Sequence, residues 1–121
     1  MRNQPRYHLF KNARYALEGL VAALREEMSF RIEAVLFVVF SLLFWLSPLH
    51  LVSKAILQAS LFLPLIVELL NSAIERVVDL ASPDIHPLAK GAKDMGATAV
   101  LLSLLATLCI WLGVLGYELG W

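Results

Sequence analysis

Residues 67–79 read V-E-L-L-N-S-A-I-E-R-V-V-D and join an uncharged apolar run to a polar one. With 3.6 residues per turn, Glu68, Asn71, Glu75 and Asp79 share one helical face, while Leu69, Leu70, Ile74, Val77 and Val78 cover the others. A helix whose acids begin at a hydrocarbon boundary and step away from it points to chemistry on a lipid head group. The apolar run behind it starts near Leu51 and contains Lys54, a residue able to snorkel to the outer interface. Counted from Leu51, Glu68 falls about 25 Å along the axis, near the far boundary of a hydrocarbon core roughly 30 Å thick. Glu75 lies about 10 Å further, at head-group level or in water. Pro64 removes one helical hydrogen bond inside this run, so a kink is expected, with a neighbouring helix satisfying the freed carbonyl.

Upstream, residues 34–53 contain no Asp, Glu, Lys or Arg, enough to span a bilayer, with Trp45 as an interfacial anchor and Ser47-Pro48 as the stop. Before them, R-E-E-M-S-F-R-I-E (25–33) forms a charged collar in which Glu27 and Arg31 have i,i+4 spacing. Residues 9–24 place Phe10, Ala13, Leu17, Leu20, Val21 and Leu24 at helical spacing, with Lys11, Asn12, Arg14 and Glu18 between them. That segment is too polar to span, and is expected to lie in the interface plane. Downstream, A-S-P-D-I-H-P-L (81–88) reads as a turn, and A-K-G-A-K-D-M-G (89–96) leads into residues 95–117, a third run without a charge. Trp111, Tyr117 and Trp121 crowd its far end.

The expected architecture is therefore all-α: one membrane domain over residues 1–121, with a surface helix at 9–24 and spans at about 32–48, 51–80 and 95–118. A hydrophobic fraction of 60% in 121 residues excludes an ordinary soluble domain. Residues 1–31 carry charges throughout and contain no apolar h-region of a cleavable signal. The 10 basic and 10 acidic residues balance, and no basic cluster with interleaved aromatics supports nucleic-acid binding. Cys109 is the single cysteine, so no internal disulfide forms. With three spans, Lys54 alone among the 10 Lys and Arg falls on the far side, which makes the N-terminus cytoplasmic and the C-terminus external.

Several residues are candidates for chemistry. A carboxylate near hydrocarbon is costly and, when it faces a bundle interior, a better proton acceptor than one in water; that is one reading of Glu68, and a boundary residue reaching water is the other. Glu27 and Glu75, at the ends of two spans, fit a pair holding Mg²⁺ together with phosphate oxygens, or two solvated acids. Lys93-Asp94 opens the third run, where a Lys opposes the helix dipole unless an anion sits there; the alternative is a flanking topogenic Lys. His86 is either a nucleotide contact or an ordinary loop residue. There is no G-x-x-x-x-G-K-[ST], kinase lysine motif or dinucleotide fingerprint. Three spans enclose little, which favours self-association to bury Glu68 and Asn71.

The motifs E-L-L-N-S-A-I-E-R-V-V-D (68–79), A-K-G-A-K-D-M-G (89–96) and E-E-M-S-F-R-I-E (26–33) resemble those of the prokaryotic diacylglycerol kinase family. These are small trimeric bacterial inner-membrane enzymes with three spans and a surface helix. The resemblance implies phosphorylation of diacylglycerol to phosphatidic acid by ATP and Mg²⁺. It implies Glu68 as general base and Glu27 and Glu75 as magnesium ligands. It makes Tyr15, Glu27, Asn71, Glu75, Asp84, Ile85, His86, Lys93 and Asp94 nucleotide contacts. Ser29, Phe30, Arg31, Ile32, Glu33, Glu68 and Ala97 become the lipid-substrate contacts. Ala97 stands where diacylglycerol-specific relatives carry Ser. The nearest rival reading is an undecaprenol (polyprenol) kinase, which shares these motifs. A channel subunit would spread polar residues along a pore, whereas here they gather at one face.

Overall fold

The computed structural model describes Arg6 and residues 8–121. Four helices follow one another: α1 (Leu9–Glu26), α2 (Met28–Trp45), α3 (Leu51–Ala81) and α4 (Pro87–Glu118). The described residues contain no strand. Helices α2, α3 and α4 are long and apolar enough to cross a membrane, and α1 is the amphipathic helix that precedes them. Glu27 alone separates α1 from α2, in an extended conformation (φ −111°, ψ 108°) that lets the chain turn at the charged collar.

Two helix starts differ from expectation. Helix α2 begins at Met28, inside the collar, and ends at Trp45, where the Ser47 hydroxyl donates to the Phe44 carbonyl at 2.6 Å. Helix α4 begins at Pro87 rather than near residue 95. His86 is its N-cap, with Nδ1 accepting from the Leu88 N–H at 3.1 Å, and Pro87 supplies a first-turn residue that needs no donor. The polar stretch 89–94 is thus helix reaching beyond the apolar run. At 1.5 Å per residue, the 31 residues of α3 extend about 46 Å, well past a core of roughly 30 Å.

Helices α3 and α4 pack along most of their length. The buried residues of α3 are Ser53, Leu57, Ser60, Pro64, Glu68, Asn71 and Ser72, spaced to form one stripe; Gly96, Ser103 and Gly116 are those of α4. Small residues let the two backbones approach, as helices in lipid require. Pro64 lies in this stripe, within a continuous helix. Its missing N–H would have bonded the Ser60 carbonyl, one turn back. Thr107 Oγ1 reaches that carbonyl at 3.1 Å, sharing its single proton between it and the Ser103 carbonyl of its own helix at 2.9 Å, and the Trp111 indole donates to Ser60 Oγ at 2.9 Å. Phe40 and Phe44 of α2 meet the Trp111 ring edge-on, and Phe37 meets Phe62 of α3, closing a three-helix core.

The far end is tied by polar side chains. Lys54 Nζ donates to the Trp45 carbonyl at 3.1 Å, and Trp45 Nε1 donates to Gln58 Oε1 at 2.9 Å. Glu118 accepts from the His50 N–H at 3.1 Å, and His50 Nδ1 lies 3.0 Å from both of its oxygens.

The Thr107–Ser60 bond gives a direct test. Thr107→Val should destabilise the protein by about 1 kcal/mol, the scale of an interhelical hydrogen bond in a membrane. In a Pro64→Ala background, residue 64 regains its N–H and the loss should shrink toward zero. Detergent-titrated unfolding of the four proteins measures this coupling; equal losses in both backgrounds exclude the compensation.

Candidate functional site

Helix α3 carries the site, because its stripe of small and polar residues continues beyond the apolar span. Glu68 is buried there, with 7% of its surface exposed. Glu27, Glu33 and Glu75 lie close enough for their charges to act on or be acted on by Glu68. One turn on, Asn71 is equally enclosed, and its Nδ2 donates to Glu75 Oε1 at 3.3 Å. Next along the same face, Asp79 Oδ1 accepts from Lys93 Nζ of α4 at 2.6 Å. The acid face read from the sequence is therefore real packing: its first two members are buried and its last two engage polar partners.

Two hollows flank this face. One, of about 410 Å³, lies between α1 and α3 and is lined by small residues of α1 together with Glu27, Ser72 and Arg76. Glycine and alanine at 16, 19, 22 and 23 leave that space open. The other, of about 340 Å³, sits at the α3–α4 turn and gathers Asp79, Asp84, Ile85, His86, Lys93 and Asp94. Five of the expected nucleotide contacts thus share one cavity wall. Ile85 is fully exposed at its rim.

Other expected site residues stand apart. Tyr15 is half-exposed on α1, beside the cleft-lining Ala16. Phe30 is 2% exposed and belongs to the core, whereas Ser29, Arg31 and Ile32 face outward. Glu33 is half-buried at the mouth of a narrow apolar slot of about 140 Å³ between α2, α3 and α4, and one of its oxygens is enclosed without a partner. Ala97 is exposed beside buried Gly96.

Three details depart from the sequence reading. Lys93 and Asp94 lie inside α4, past its first turn, so their N–H groups are spent in the helix and do not form an anion site. Asp94 accepts from Lys90 at 2.6 Å. Glu27 does not pair with Arg31, because it is the non-helical residue at the corner; Arg31 instead donates to the Arg25 carbonyl at 3.1 Å. The partner of Glu27 is Arg76, whose Nη2 donates to Glu26 Oε2 at 2.5 Å and Glu27 Oε1 at 3.1 Å. Arg76 and Asp79 are the site residues the sequence reading left unassigned. The collar was the available signal, since adjacent Glu26 and Glu27 make a paired acceptor for a cation on another element.

The Arg76 bonds are exposed, so Arg76→Ala should cost no more than about 1 kcal/mol of stability. It should nevertheless free α1, because these bonds tie the collar to α3. Amide exchange over residues 9–26 is expected to accelerate while α4 stays protected. Unchanged exchange would mean that packing alone holds α1.

Residues 14–115 match the family described as prokaryotic diacylglycerol kinase. A Pseudomonas aeruginosa protein named diacylglycerol kinase is 43% identical over 101 residues, a match covering 84% of this chain and 82% of that one. Its namesake from Escherichia coli is 36% identical over 112 residues, covering 93% and 92%. One from Haemophilus influenzae is 35% identical over 109 residues, covering 89% and 92%.

Proposed function

The chain belongs to the prokaryotic diacylglycerol kinase family, and on that premise we propose that it transfers the γ-phosphoryl group of ATP to the hydroxyl of diacylglycerol, giving phosphatidic acid and ADP. The observation that carries this reading to particular residues is the buried Glu68 amid Glu27, Glu33 and Glu75 at one end of the spanning helices.

Glu68 takes the proton of the lipid hydroxyl as that oxygen attacks phosphorus. Its enclosure supports this role, because a buried carboxylate is held in place beside the substrate hydroxyl instead of being solvated. Lys93 meets the phosphates; its ammonium already projects from α4 into the α3–α4 hollow and is held by Asp79, a partner it would share with an incoming anion. Asp84, Ile85 and His86 line the same hollow and would border the nucleotide. Tyr15, Asn71 and Asp94 complete the nucleotide set. Ser29, Arg31, Ile32, Glu33 and Ala97 border the lipid, while Phe30, enclosed in the core, supports them from behind without touching it.

Glu27 and Glu75 fit a magnesium ion. One is the residue at the α1–α2 corner and the other lies on α3, both within electrostatic reach of Glu68, and one or two carboxylates suffice when phosphates supply other ligands. Bound there, the ion would neutralise charge on the transferring phosphoryl group. The protein's share is positioning: α3 and α4 set base and ammonium on one face, and the apolar spans hold the acyl chains. Large apolar side chains such as Val38, Leu43, Ile66 and Leu102 remain exposed along the spans, ready for lipid and for the other protomers of a homotrimer. The distribution of basic residues orients the N-terminus to the cytoplasm and the C-terminus outward across the bacterial inner membrane.

Glu68→Gln should leave a folded oligomer and abolish turnover, a loss of at least about 100-fold for a removed general base. Purified protein in mixed micelles, given labelled ATP with diacylglycerol or undecaprenol, with and without Mg²⁺, tests the whole reading. Mg²⁺-dependent labelling of diacylglycerol is expected. Labelling of undecaprenol alone moves the substrate, and activity near wild type in Glu68→Gln removes its role as base.

A further inference from the structure

Asn71 and Gly96 meet further along the α3–α4 seam. Asn71 is 8% exposed, and its Oδ1 is enclosed with no hydrogen-bond partner. Its Nδ2 donates to Glu75 Oε1 at 3.3 Å. A β-carbon built on Gly96 would overlap Asn71 Oδ1 and come within 3.2 Å of Asn71 Cγ. The Asn71 carboxamide therefore fills the volume that any side chain at position 96 would need. Gly96 sits in regular helix, and the one glycine with positive φ is Gly120, so backbone conformation does not call for glycine at 96. Glycine weakens a helix interior relative to alanine. Its use here answers to the side chain opposite.

That side chain has a task. Glu75 stands near acidic Glu68, which repels it, and near the Lys93 ammonium, which attracts it. Left alone, a flexible carboxylate would follow these charges. An amide donor on one oxygen fixes its direction without cancelling its charge and leaves Oε2 for a cation. We propose that Gly96 is a positioning residue for metal binding. Its absent side chain admits the Asn71 carboxamide, which aims the Glu75 carboxylate at the cation carried with ATP. The inference rests on the magnesium role assigned to Glu75 above and extends it to a residue that touches neither metal nor nucleotide.

The test is Mn²⁺ affinity at saturating ADP, read from the electron paramagnetic resonance signal of free Mn²⁺ on full-length protein in mixed micelles, with ADP affinity measured separately without metal; a loss confined to ADP affinity counts against the proposal. Gly96→Ala should weaken Mn²⁺ binding about tenfold or more, the range for a group that orients a metal ligand. Asn71→Ala, which removes atoms and crowds nothing, should do the same, and the double variant should be no worse than either single one. Gly113→Ala, at a glycine with open space around it, controls for the glycine-to-alanine change and should bind as wild type. Should Gly96→Ala not fold, Asn71→Ala still decides, because unchanged Mn²⁺ affinity in that variant overturns the proposal. Glu75→Gln separates the two layers. If it weakens Mn²⁺ binding while Asn71→Ala and Gly96→Ala do not, this inference fails and the metal site stands. If Glu75→Gln has no effect, the metal reading fails and this inference with it.

Discussion

Pro64 leaves the Ser60 carbonyl without its helical donor at a depth where water cannot replace it. The bond from Thr107 is the constraint on which the arrangement turns. An unpaired carbonyl in hydrocarbon is costly, which favours the placement of α4 that brings Thr107 against it. Trp111 adds a second donor to the same residue and brings the aromatic side chains of α2 with it. The register follows: the same number of residues separates Ser60 from Asn71 on α3 as separates Gly96 from Thr107 on α4. Once the proline gap is closed, the Asn71–Gly96 contact falls into place, and Lys93 reaches Asp79 beyond it.

The stripe that packs the helices and the face that carries the acids are one surface at two depths. Within the apolar region it is mostly small: Ser53, Ser60 and Pro64 around the enclosed Leu57 on α3, Ser103 on α4. Toward the boundary it becomes Glu68, Asn71 and Glu75. On this face a polar residue meets another helix or a hollow rather than lipid. The packing that stabilises the protein is thereby the packing that orients its candidate chemistry, and the helices need not be strained to do it. At the opposite end Glu118, His50, Lys54 and Trp45 close the turn with hydrogen bonds, whereas the hollows beside the acid face are lined by acids and basic side chains.

Much of this is legible in the linear chain. Three charge-poor runs of spanning length, an amphipathic segment before them and a spacing that puts Glu68, Asn71, Glu75 and Asp79 on one side are consequences of helical period and bilayer thickness. The need for a neighbour to satisfy the carbonyl before Pro64 is equally a matter of covalent structure. The motifs suffice to indicate the family, since they occur together and in order. Helix starts were less legible. A search for uncharged residues finds where a helix enters the membrane, not where it begins, so the capped turn at His86-Pro87 and the helical stretch holding Lys93 were missed.

Tertiary structure alone decided the partners. That Arg76 answers Glu26 and Glu27, that Thr107 is the donor to Ser60, and that Gly96 stands opposite Asn71 depend on the register between helices joined by turns. Periodicity assigns a residue to a face of its own helix and says nothing of what that face meets. Sequence therefore determined the helices, their span and the acid face, because each follows from local geometry and transfer between water and lipid. The structure decided which acids are held, which are enclosed and which hollows they line, because those depend on contacts between residues far apart in the chain.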